Sequence, residues 1–380
     1  MDSAALKDSW ALVAKSGDEV PLFFYSHLFL SHPKLRELFP VSMSAQRDKL
    51  VGALGRIVSN ADQLEEVTPF IQQLGRDHRR FMVVNEHYPA VGASLLATLR
   101  HFLGSAWTDQ LAADWAAAYN LIATVMTTSA EQADGPAWWT AEVLAVERRT
   151  LDVCVLQLRP EQQFEYLPGQ SFAMEVPHRP RLWRYYSPAN APRPDGSMEL
   201  HVQLVPGGQV SSAVARYVVA GDQVRMGSPI GTKLTRPMEA RNDIFMVAGG
   251  TGLAPLRAVV EQLDREWFEY GTAPQVHLFH GARVPWNLYD NQLLNELSRR
   301  PWFSYTGVVS DDSSFPGARG LVGAVAAHSQ QWRGRIAMVC GSPLMVRHTV
   351  QELTAAGMPP EDIRTEQFDD VTRTEPLLRT

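Results

Sequence analysis

Three polar side chains in the first third of the chain occupy positions where a helical period expects apolar ones. They are His78, Gln46 and Tyr25, and each shares its predicted helix face with apolar residues: Phe70, Leu74 and Phe81 for His78, Leu50, Leu54 and Ile57 for Gln46, Leu22 and Phe29 for Tyr25. A buried polar group needs a partner, and three separate core residues bonded to backbone carbonyls would each meet that need. A shared cavity with a metal cofactor would satisfy all three, because haem iron takes a neutral imidazole on one side while hydroxyl and amide donors stabilise negative charge on bound oxygen at the other.

Two glycine loops in the second half of the chain are suited to bind phosphate. The run Gly207-Gly208-Gln209-Val210-Ser211 leads into a predicted helix, whose first N–H groups form an anion site. The run Gly249-Gly250-Thr251-Gly252 follows an apolar strand and precedes a helix predicted to start at Pro255, as in a nucleotide cradle. Each loop alone is more often a hairpin or a structural turn.

Hydrophobic periodicity divides the elements that must position these residues into three groups. Residues 1–133 read as helix almost throughout, and the turn Asp134-Gly135-Pro136 ends them. Short alternating strands then predict an antiparallel barrel; they cover residues 141–146, 151–158, 171–176 and 199–204. From Asn242, strands alternate with helices, which predicts a doubly wound parallel sheet; these strands cover residues 244–247, 276–279 and 336–340. We therefore predict a multidomain protein with α, β and α/β domains at residues 1–133, 137–238 and 239–380.

Composition narrows the function classes. The 380 residues suit two or three domains, and the 35 basic against 41 acidic residues argue against a nucleic-acid partner. Two cysteines, Cys154 and Cys340, are too few for a disulfide framework or a self-contained iron–sulfur domain. The segment from Met1 to Asp8 does not resemble a signal peptide, and the apolar run from Val20 to Leu30 is too short to span a bilayer. We expect a cytoplasmic protein with no obligatory membrane contact, monomeric or weakly associating.

The helical region resembles the globin domain of bacterial flavohaemoglobins. The matching segments are Phe24-Tyr25, Leu35 to Phe39, Gln46-Arg47, Asp77-His78 with Phe81, and Glu86-His87-Tyr88. The resemblance implies that His78 is the proximal ligand of a haem b and that Tyr25 and Gln46 line the distal pocket. It also implies that Leu50 lies beside them, that Phe39 wedges the porphyrin and that Tyr88 forms a hydrogen bond near His78. One departure is Ala130, with Glu131 one residue away, where the family usually has a proximal glutamate.

The second half resembles the ferredoxin-reductase-like modules of the same family. Arg184-Tyr185-Tyr186-Ser187 matches the signature Arg-x-Tyr-Ser, which implies that the arginine pairs with the FAD pyrophosphate, the tyrosine stacks on the flavin and the serine reaches N5. The resemblance assigns the second FAD phosphate to the loop at Gly208, Gln209, Val210 and Ser211. It assigns the nicotinamide nucleotide to Gly249, Gly250, Thr251 and Gly252, to Cys340 and Gly341, and to Phe368 at the flavin–nicotinamide junction. Gln367 and Ser171 depart from the cysteine and tyrosine that are frequent at these places.

The choice between NADH and NADPH depends on the residues after the strand at 276–280. Arg283 is suited to bind a 2′-phosphate and so to favour NADPH, whereas an arginine held by the pyrophosphate or by solvent would leave the choice open. The family resemblance favours NADH.

The three resemblances follow the flavohaemoglobin order and cover the chain up to about residue 368. They imply that electrons pass from NADH or NADPH through FAD to haem, and that nitric oxide is oxidised to nitrate with O2. The expected partners are therefore small molecules: O2, NO and NAD(P)H. Two alternatives stay open: an oxygen-binding or sensing globin whose reductase keeps the haem ferrous, and a reductase for another acceptor.

Overall fold

The structure, a computed structural model, describes residues 1–236 and 242–367. The described residues form two compact units that divide between Trp138 and Trp139. The predicted boundaries at 133, 137 and 238/239 stay predictions; the last of them and Phe368 lie outside the described residues.

The described residues of the first unit form six α-helices, and the all-helical prediction is confirmed: α1 (Ser3–Val13), α2 (Glu19–Ser31), α3 (Ser44–Ser59), α4 (Leu64–His78), α5 (Tyr88–Leu103) and α6 (Asp109–Glu131). Side-chain caps set two of the starts. Asp2 Oδ1 accepts hydrogen bonds from the N–H groups of Ala4 and Ala5, and the Thr108 hydroxyl accepts from Leu111. α4 and α6 approach so closely that a Cβ on Gly75 would collide with the Met126 backbone.

The helical unit has two hydrophobic clusters that share no residue. One is centred on α1, α2 and α5 and includes Tyr25, Phe39 and Leu50. The other lies between α4 and α6 and includes Leu74 and Tyr88. The residues predicted to lie on the two faces of the haem thus belong to different clusters: Tyr25 and Leu50 to the first, Tyr88 to the second.

The predicted core stripe of α4 is only partly covered. Val67, Ile71 and Gly75 are the buried positions, whereas Phe70 and Leu74 are only partly buried, as is His78. Leu22 is also misplaced, since it is 45% exposed and does not flank Tyr25 in the core. α4 packs on α6 through its small Gly75, and Phe70 and Leu74 pack on the same cluster as partly buried residues.

The second unit begins with an antiparallel sheet: β1 (Trp139–Arg148), β2 (Val153–Pro160), β3 (Phe172–Glu175), β4 (Arg184–Tyr186) and β5 (Met198–Gln203), then α7 (Gln209–Arg216) and β6 (Gln223–Met226). The strand order is β4-β3-β6-β1-β2-β5. A bridge between Pro188 and Leu200 brings the segment after β4 onto β5, so the two edges meet and the sheet nearly closes. The predicted barrel is therefore confirmed; its interior includes Leu156, Phe172 and Met174.

The remainder is a parallel sheet covered by helices: β7 (Ile244–Gly249), α8 (Leu253–Tyr270), β8 (Val276–Ala282), α9 (Asn291–Leu297), β9 (Phe303–Val309), β10 (Ala318–Arg319), α10 (Val322–His328), β11 (Ile336–Gly341), α11 (Pro343–Ala355) and β12 (Ile363–Gln367). The order β10-β9-β8-β7-β11-β12 reverses direction between β7 and β11. Such a switch point opens a ligand crevice at the carboxyl ends of the two strands. The doubly wound prediction is confirmed, and both strands end at predicted nucleotide-binding residues. None of the described helices has the length and apolarity needed to cross a bilayer.

Candidate functional site

His78 is the last residue of α4 and is held in the form that binds a metal. Its Nδ1 lies 2.6 Å from the Leu74 carbonyl oxygen. A carbonyl only accepts, so Nδ1 carries the proton and Nε2 keeps its lone pair. Burial lowers the pKa of His78, although the Leu74 contact opposes this shift, and the ring is neutral at pH 7. A backbone-oriented neutral imidazole is the usual axial donor to haem iron.

Tyr88 opens α5 and packs in the same cluster as Leu74. The Tyr119 hydroxyl donates to the Tyr88 carbonyl oxygen over 2.6 Å, and a Cβ on Gly92 would meet the Tyr119 ring at 2.5 Å. This fit fixes the start of α5. Burial raises the pKa of the Tyr88 hydroxyl, which therefore stays protonated.

The carboxylate near the proximal side is engaged elsewhere. Glu131 Oε1 accepts a hydrogen bond from Asn85 Nδ2 at 2.9 Å, three residues before Tyr88. Ala130, the position that the resemblance assigns to a proximal glutamate, is the next-to-last residue of α6. Glu131 therefore ties α6 to the turn ahead of α5, and the departure at Ala130 stays a prediction.

Tyr25 is buried on α2 among aromatic rings. Phe29 stacks at 5.7 Å between ring centroids, and Phe39 meets the ring edge-on at 5.5 Å. The hydroxyl lies 3.4 Å from the backbone oxygen of Gln46, which is longer than a good O–H···O bond. Burial raises the pKa of Tyr25 to about 12, although a hydrogen bond with the Gln46 side chain lowers it. The phenol is thus protonated, and its contact with the Gln46 backbone is weak.

These residues fit a haem. Gln46 and Leu50 lie one turn apart on α3 and, with Leu54, are only partly buried. The half-buried face of α4 carries Leu74 and His78. Apolar walls, one neutral imidazole lone pair and one buried phenol donor are what this cofactor needs. Within the described residues no group of three or more His, Cys, Asp or Glu side chains is placed to hold a metal by itself.

The predicted flavin signature lies on β4. Side chains alternate along a strand, so Arg184 and Tyr186 share one face and Tyr185 the other. Tyr186 packs against the barrel core, and burial raises the pKa of its hydroxyl. Arg184 Nη1 donates to the Trp183 carbonyl at 2.9 Å, and the other N–H groups of its guanidinium suit a diphosphate. Ser187 follows at the end of the strand.

The loop before α7 is built as an anion site. Gly208 N donates to the Val205 carbonyl at 2.8 Å, and Gly207 has φ +75°, which only glycine adopts readily. A Cβ on Gly208 would lie 2.6 Å from Ser211 Oγ. The hydroxyl of Ser211 accepts from Val205 N at 3.2 Å, and Val210 is buried in the barrel core. The turn therefore leaves the first N–H groups of α7, beginning with Gln209, at an open helix terminus.

The predicted nicotinamide loop meets the end of β11 directly. A Cβ on Gly252 would collide with the Cys340 carbonyl, and one on Gly249 would lie 2.7 Å from Met345 Cε. Gly341 faces the same methyl group. Gly250 has φ +53°, and Thr251 is buried. The two sequence-predicted pieces thus form one backbone surface at the switch point.

Glu366 was overlooked by sequence reasoning, which chose its neighbour Phe368. Glu366 pairs in register with Cys340 on the adjacent strand, and the Ser171 hydroxyl donates to its carboxylate. Burial raises the pKa of Glu366 to about 7, while Ser171 and Lys233 lower it. Burial and the nearby Glu366 raise the pKa of the Cys340 thiol. The signal in the sequence is an acidic residue next to Gln367, two positions before the predicted flavin–nicotinamide junction at Phe368.

Arg283 is 84% exposed beyond the end of β8, and its Nε lies 4.0 Å from Asp311 Oδ2. Neither the exposure of Arg283 nor this contact distinguishes the two nucleotides, so the choice between NADH and NADPH stays a prediction.

Three sequence families match the chain in succession. Residues 22–126 match Globin, residues 143–234 match the oxidoreductase FAD-binding domain, and residues 246–351 match the oxidoreductase NAD-binding domain. A flavohemoprotein of Halalkalibacterium halodurans is 28% identical over 302 residues, which are 73% of this chain and 72% of the relative. The crystal structure of flavohemoglobin from Malassezia yamatoensis has the same fold, with a TM-score of 0.76 and 17% identity over 97% of this chain and 98% of that one.

The chain has the domains of a flavohaemoglobin, in the same order. The flavohaemoglobin is thus an oxidoreductase with haem, FAD and nicotinamide nucleotide as cofactors, whose reductase passes electrons to its globin. A reductase component of the naphthalene 1,2-dioxygenase and salicylate 5-hydroxylase systems of Ralstonia sp is 32% identical over 232 residues, 60% of this chain and 67% of the relative.

Proposed function

We propose that this flavohaemoglobin oxidises nitric oxide to nitrate with dioxygen. In the overall reaction two NO and two O2 take the two electrons of one NAD(P)H and give two nitrates, NAD(P)⁺ and one proton. The observation that carries the proposal is the Tyr25 hydroxyl, which is buried and protonated and lies 3.4 Å from the backbone oxygen of Gln46, a long hydrogen bond. Such a donor stabilises negative charge that develops on oxygen during the reaction.

The cofactors would supply the electron transfers, from a two-electron donor to a one-electron centre. His78 would hold the iron through Nε2, and the Leu74 carbonyl would keep the ring oriented. Arg184 and the N-terminus of α7 would hold the FAD diphosphate, with Tyr186 and Ser187 beside the flavin. The loop from Gly249 to Gly252, with Cys340 and Gly341, would hold the nicotinamide nucleotide.

The test is nitric oxide consumption in air by the purified protein loaded with haem and FAD, with NADH and then NADPH. We expect about two nitrates per nicotinamide oxidised, because a hydride carries two electrons and each turnover needs one. The faster donor names the physiological nucleotide. Flavin reduction without nitric oxide consumption would contradict the proposal.

One observation favours an oxygen-binding or sensing role instead. Glu131 is engaged by Asn85, and a carboxylate that orients the proximal network normally strengthens the iron ligand. This alternative predicts tight oxygen binding with slow nitric oxide turnover, which the same assay and an oxygen titration distinguish.

The similarity to the Ralstonia reductase component favours a third candidate, electron delivery to a separate acceptor. It predicts that a haem-free protein still reduces an added electron acceptor at the full rate of flavin reduction. Loss of that activity together with the haem would exclude it.

A further inference from the structure

A buried group of charged side chains lies between the barrel and the nucleotide domain. Arg257 on α8 places Nη1 2.6 Å from Glu199 Oε1 and 2.9 Å from His201 Nε2, both on β5. The His201 side chain is fully buried and that of Arg257 is 11% exposed. None of these residues belongs to the motifs that bind the cofactors.

A second carboxylate completes the group. Asp290, whose side chain is fully buried, lies 3.1 Å from Arg257 Nη1 through Oδ2. Its Oδ1 lies 2.6 Å from Nη1 of Arg149, in the turn between β1 and β2. We call Glu199, His201, Arg257, Asp290 and Arg149 the β5–α8 network. Its two carboxylates and two guanidinium groups balance, because burial lowers the pKa of His201 and keeps the imidazole neutral.

The β5–α8 network adjoins the nicotinamide loop. Arg257 is the fifth residue of α8, which starts directly after Gly252. The buried His280 donates from Nε2 to the Gly250 carbonyl at 3.1 Å, and its ring meets Tyr289 edge-on at 5.6 Å. The Tyr289 hydroxyl in turn lies 2.9 Å from His201 Nδ1. One continuous set of contacts therefore runs from β5 of the barrel to the backbone of the loop.

Stability alone does not explain such a network. Buried ion pairs recover little more than the cost of removing their charges from water, and well-packed apolar residues often serve as well. What a network with several partners supplies is a fixed relative position of the elements that carry it. Hydride transfer depends on position, because an error of about 1 Å costs on the order of 100-fold in rate.

We propose that Arg257 is a positioning residue for hydride transfer, which fixes the loop–helix unit of the nucleotide domain against the flavin barrel. The inference rests on the reductase part of the proposed function and not on nitric oxide as the substrate.

The test is anaerobic flavin reduction in the holoprotein by NADH, without nitric oxide or oxygen. Arg257→Lys keeps the charge but not the geometry of three contacts. We expect the limiting rate of flavin reduction to fall about 10- to 100-fold, while the Kd for NADH changes by less than about 3-fold, because the phosphate-binding loop is unaltered. The charge-transfer absorbance of the nicotinamide–flavin complex should weaken. The kinetic isotope effect on flavin reduction, measured with deuterated NADH, should approach its full value.

Arg300→Lys is the matched control. Arg300 pairs with Asp264 of α8 at 2.9 Å through Nε. The same substitution there keeps the charge and alters one ion pair to the same helix. We expect wild-type flavin reduction in this variant. An Arg257→Lys protein with normal reduction rate and normal charge-transfer absorbance, altered only in thermal unfolding, would overturn the proposal.

Glu199→Gln gives an independent answer, including the case in which Arg257→Lys does not fold. It leaves the shape of the carboxylate and removes its charge, so the limiting rate should again fall while NADH binding holds. In the double variant the two losses should be less than multiplicative, because both act through one network. A normal rate in Glu199→Gln, or fully multiplicative losses, would show that the contacts act separately and would also overturn the proposal.

Discussion

At the scale of single residues, Tyr25 is the group on which nitric oxide chemistry depends most. Its hydroxyl is buried among Phe29 and Phe39 and stays protonated because its pKa is about 12. Tyr25→Phe removes this donor and keeps the ring. We expect oxygen to dissociate about 10- to 100-fold faster from the ferrous protein, since a hydrogen bond to a charged group is worth about 1.5–3 kcal/mol. Stopped-flow oxygen release measures it.

Tyr217→Phe is the matched control for this change, because Tyr217 is 50% exposed and lies in the other unit. It should release oxygen at the wild-type rate. An unchanged rate in Tyr25→Phe would remove Tyr25 from the distal pocket.

Glu366 should make stability depend on pH. Its pKa is about 7 in the folded protein against 4.5 when unfolded, so the folded form binds the proton more tightly. The resulting stabilisation is complete below pH 4.5 and is lost as the pH rises through 7, by up to about 3 kcal/mol at 1.4 kcal/mol per pKa unit. Glu366→Gln stays neutral, so its free energy of unfolding should rise relative to wild type between pH 5 and pH 8. Urea unfolding at the two pH values measures it.

The exposed Glu361 offers a control in the same segment. Glu361→Gln should leave the pH dependence of unfolding as it is in the wild type. If Glu366→Gln and the wild type lose stability in parallel, Glu366 is ionised in the folded protein.

At the scale of elements, the sequence predicts best where one physical signal dominates. The apolar run of β7 and the glycines after it specify strand, loop and helix, and the structure has all three. The short strands β4 and β6 carry too few residues for a periodic signal. The predicted stripe of α4 is only partly covered, because Val67 and Ile71 take the most buried positions and the close contact at Gly75 is one that periodicity cannot show. Arg257 was overlooked because its partners on β5 are distant in sequence, although a lone arginine in an apolar helix segment is a visible signal.

Gly252 tests the loop between β7 and α8. A Cβ there would collide with the Cys340 carbonyl at the floor of the crevice. Gly252→Ala should destabilise the protein by about 1–3 kcal/mol, the usual cost of overpacking, and raise the KM for NADH at least about 10-fold. Urea unfolding and steady-state flavin reduction measure the two effects.

Gly52→Ala is the control, because a Cβ on this helical glycine meets no atom within 4 Å. Alanine is the better helix former, so this variant should gain up to about 1 kcal/mol. An unchanged KM for NADH in Gly52→Ala together with an unchanged KM in Gly252→Ala would show that the loop does not hold the nucleotide.

At the scale of the whole molecule, the two compact units carry separate parts of the chemistry. The proposed iron ligand belongs to the first unit, whereas the flavin and nicotinamide residues all belong to the second. The β5–α8 network and the barrel core are likewise contained in the second unit. Electron entry should therefore survive damage to the haem site.

His78→Ala makes this separation measurable. The neutral imidazole held by Leu74 is the proposed axial ligand, so the variant should lose most of its haem and at least about 100-fold in nitric oxide turnover. Flavin reduction by NADH should stay within about 2-fold of wild type, because no residue of the second unit is changed.

His32→Ala, at an exposed position of the first unit, is the control and should keep both haem and turnover. Haem retained at the wild-type level in His78→Ala would assign the iron to another ligand, and a parallel loss of flavin reduction would show that the second unit depends on the first for its own chemistry.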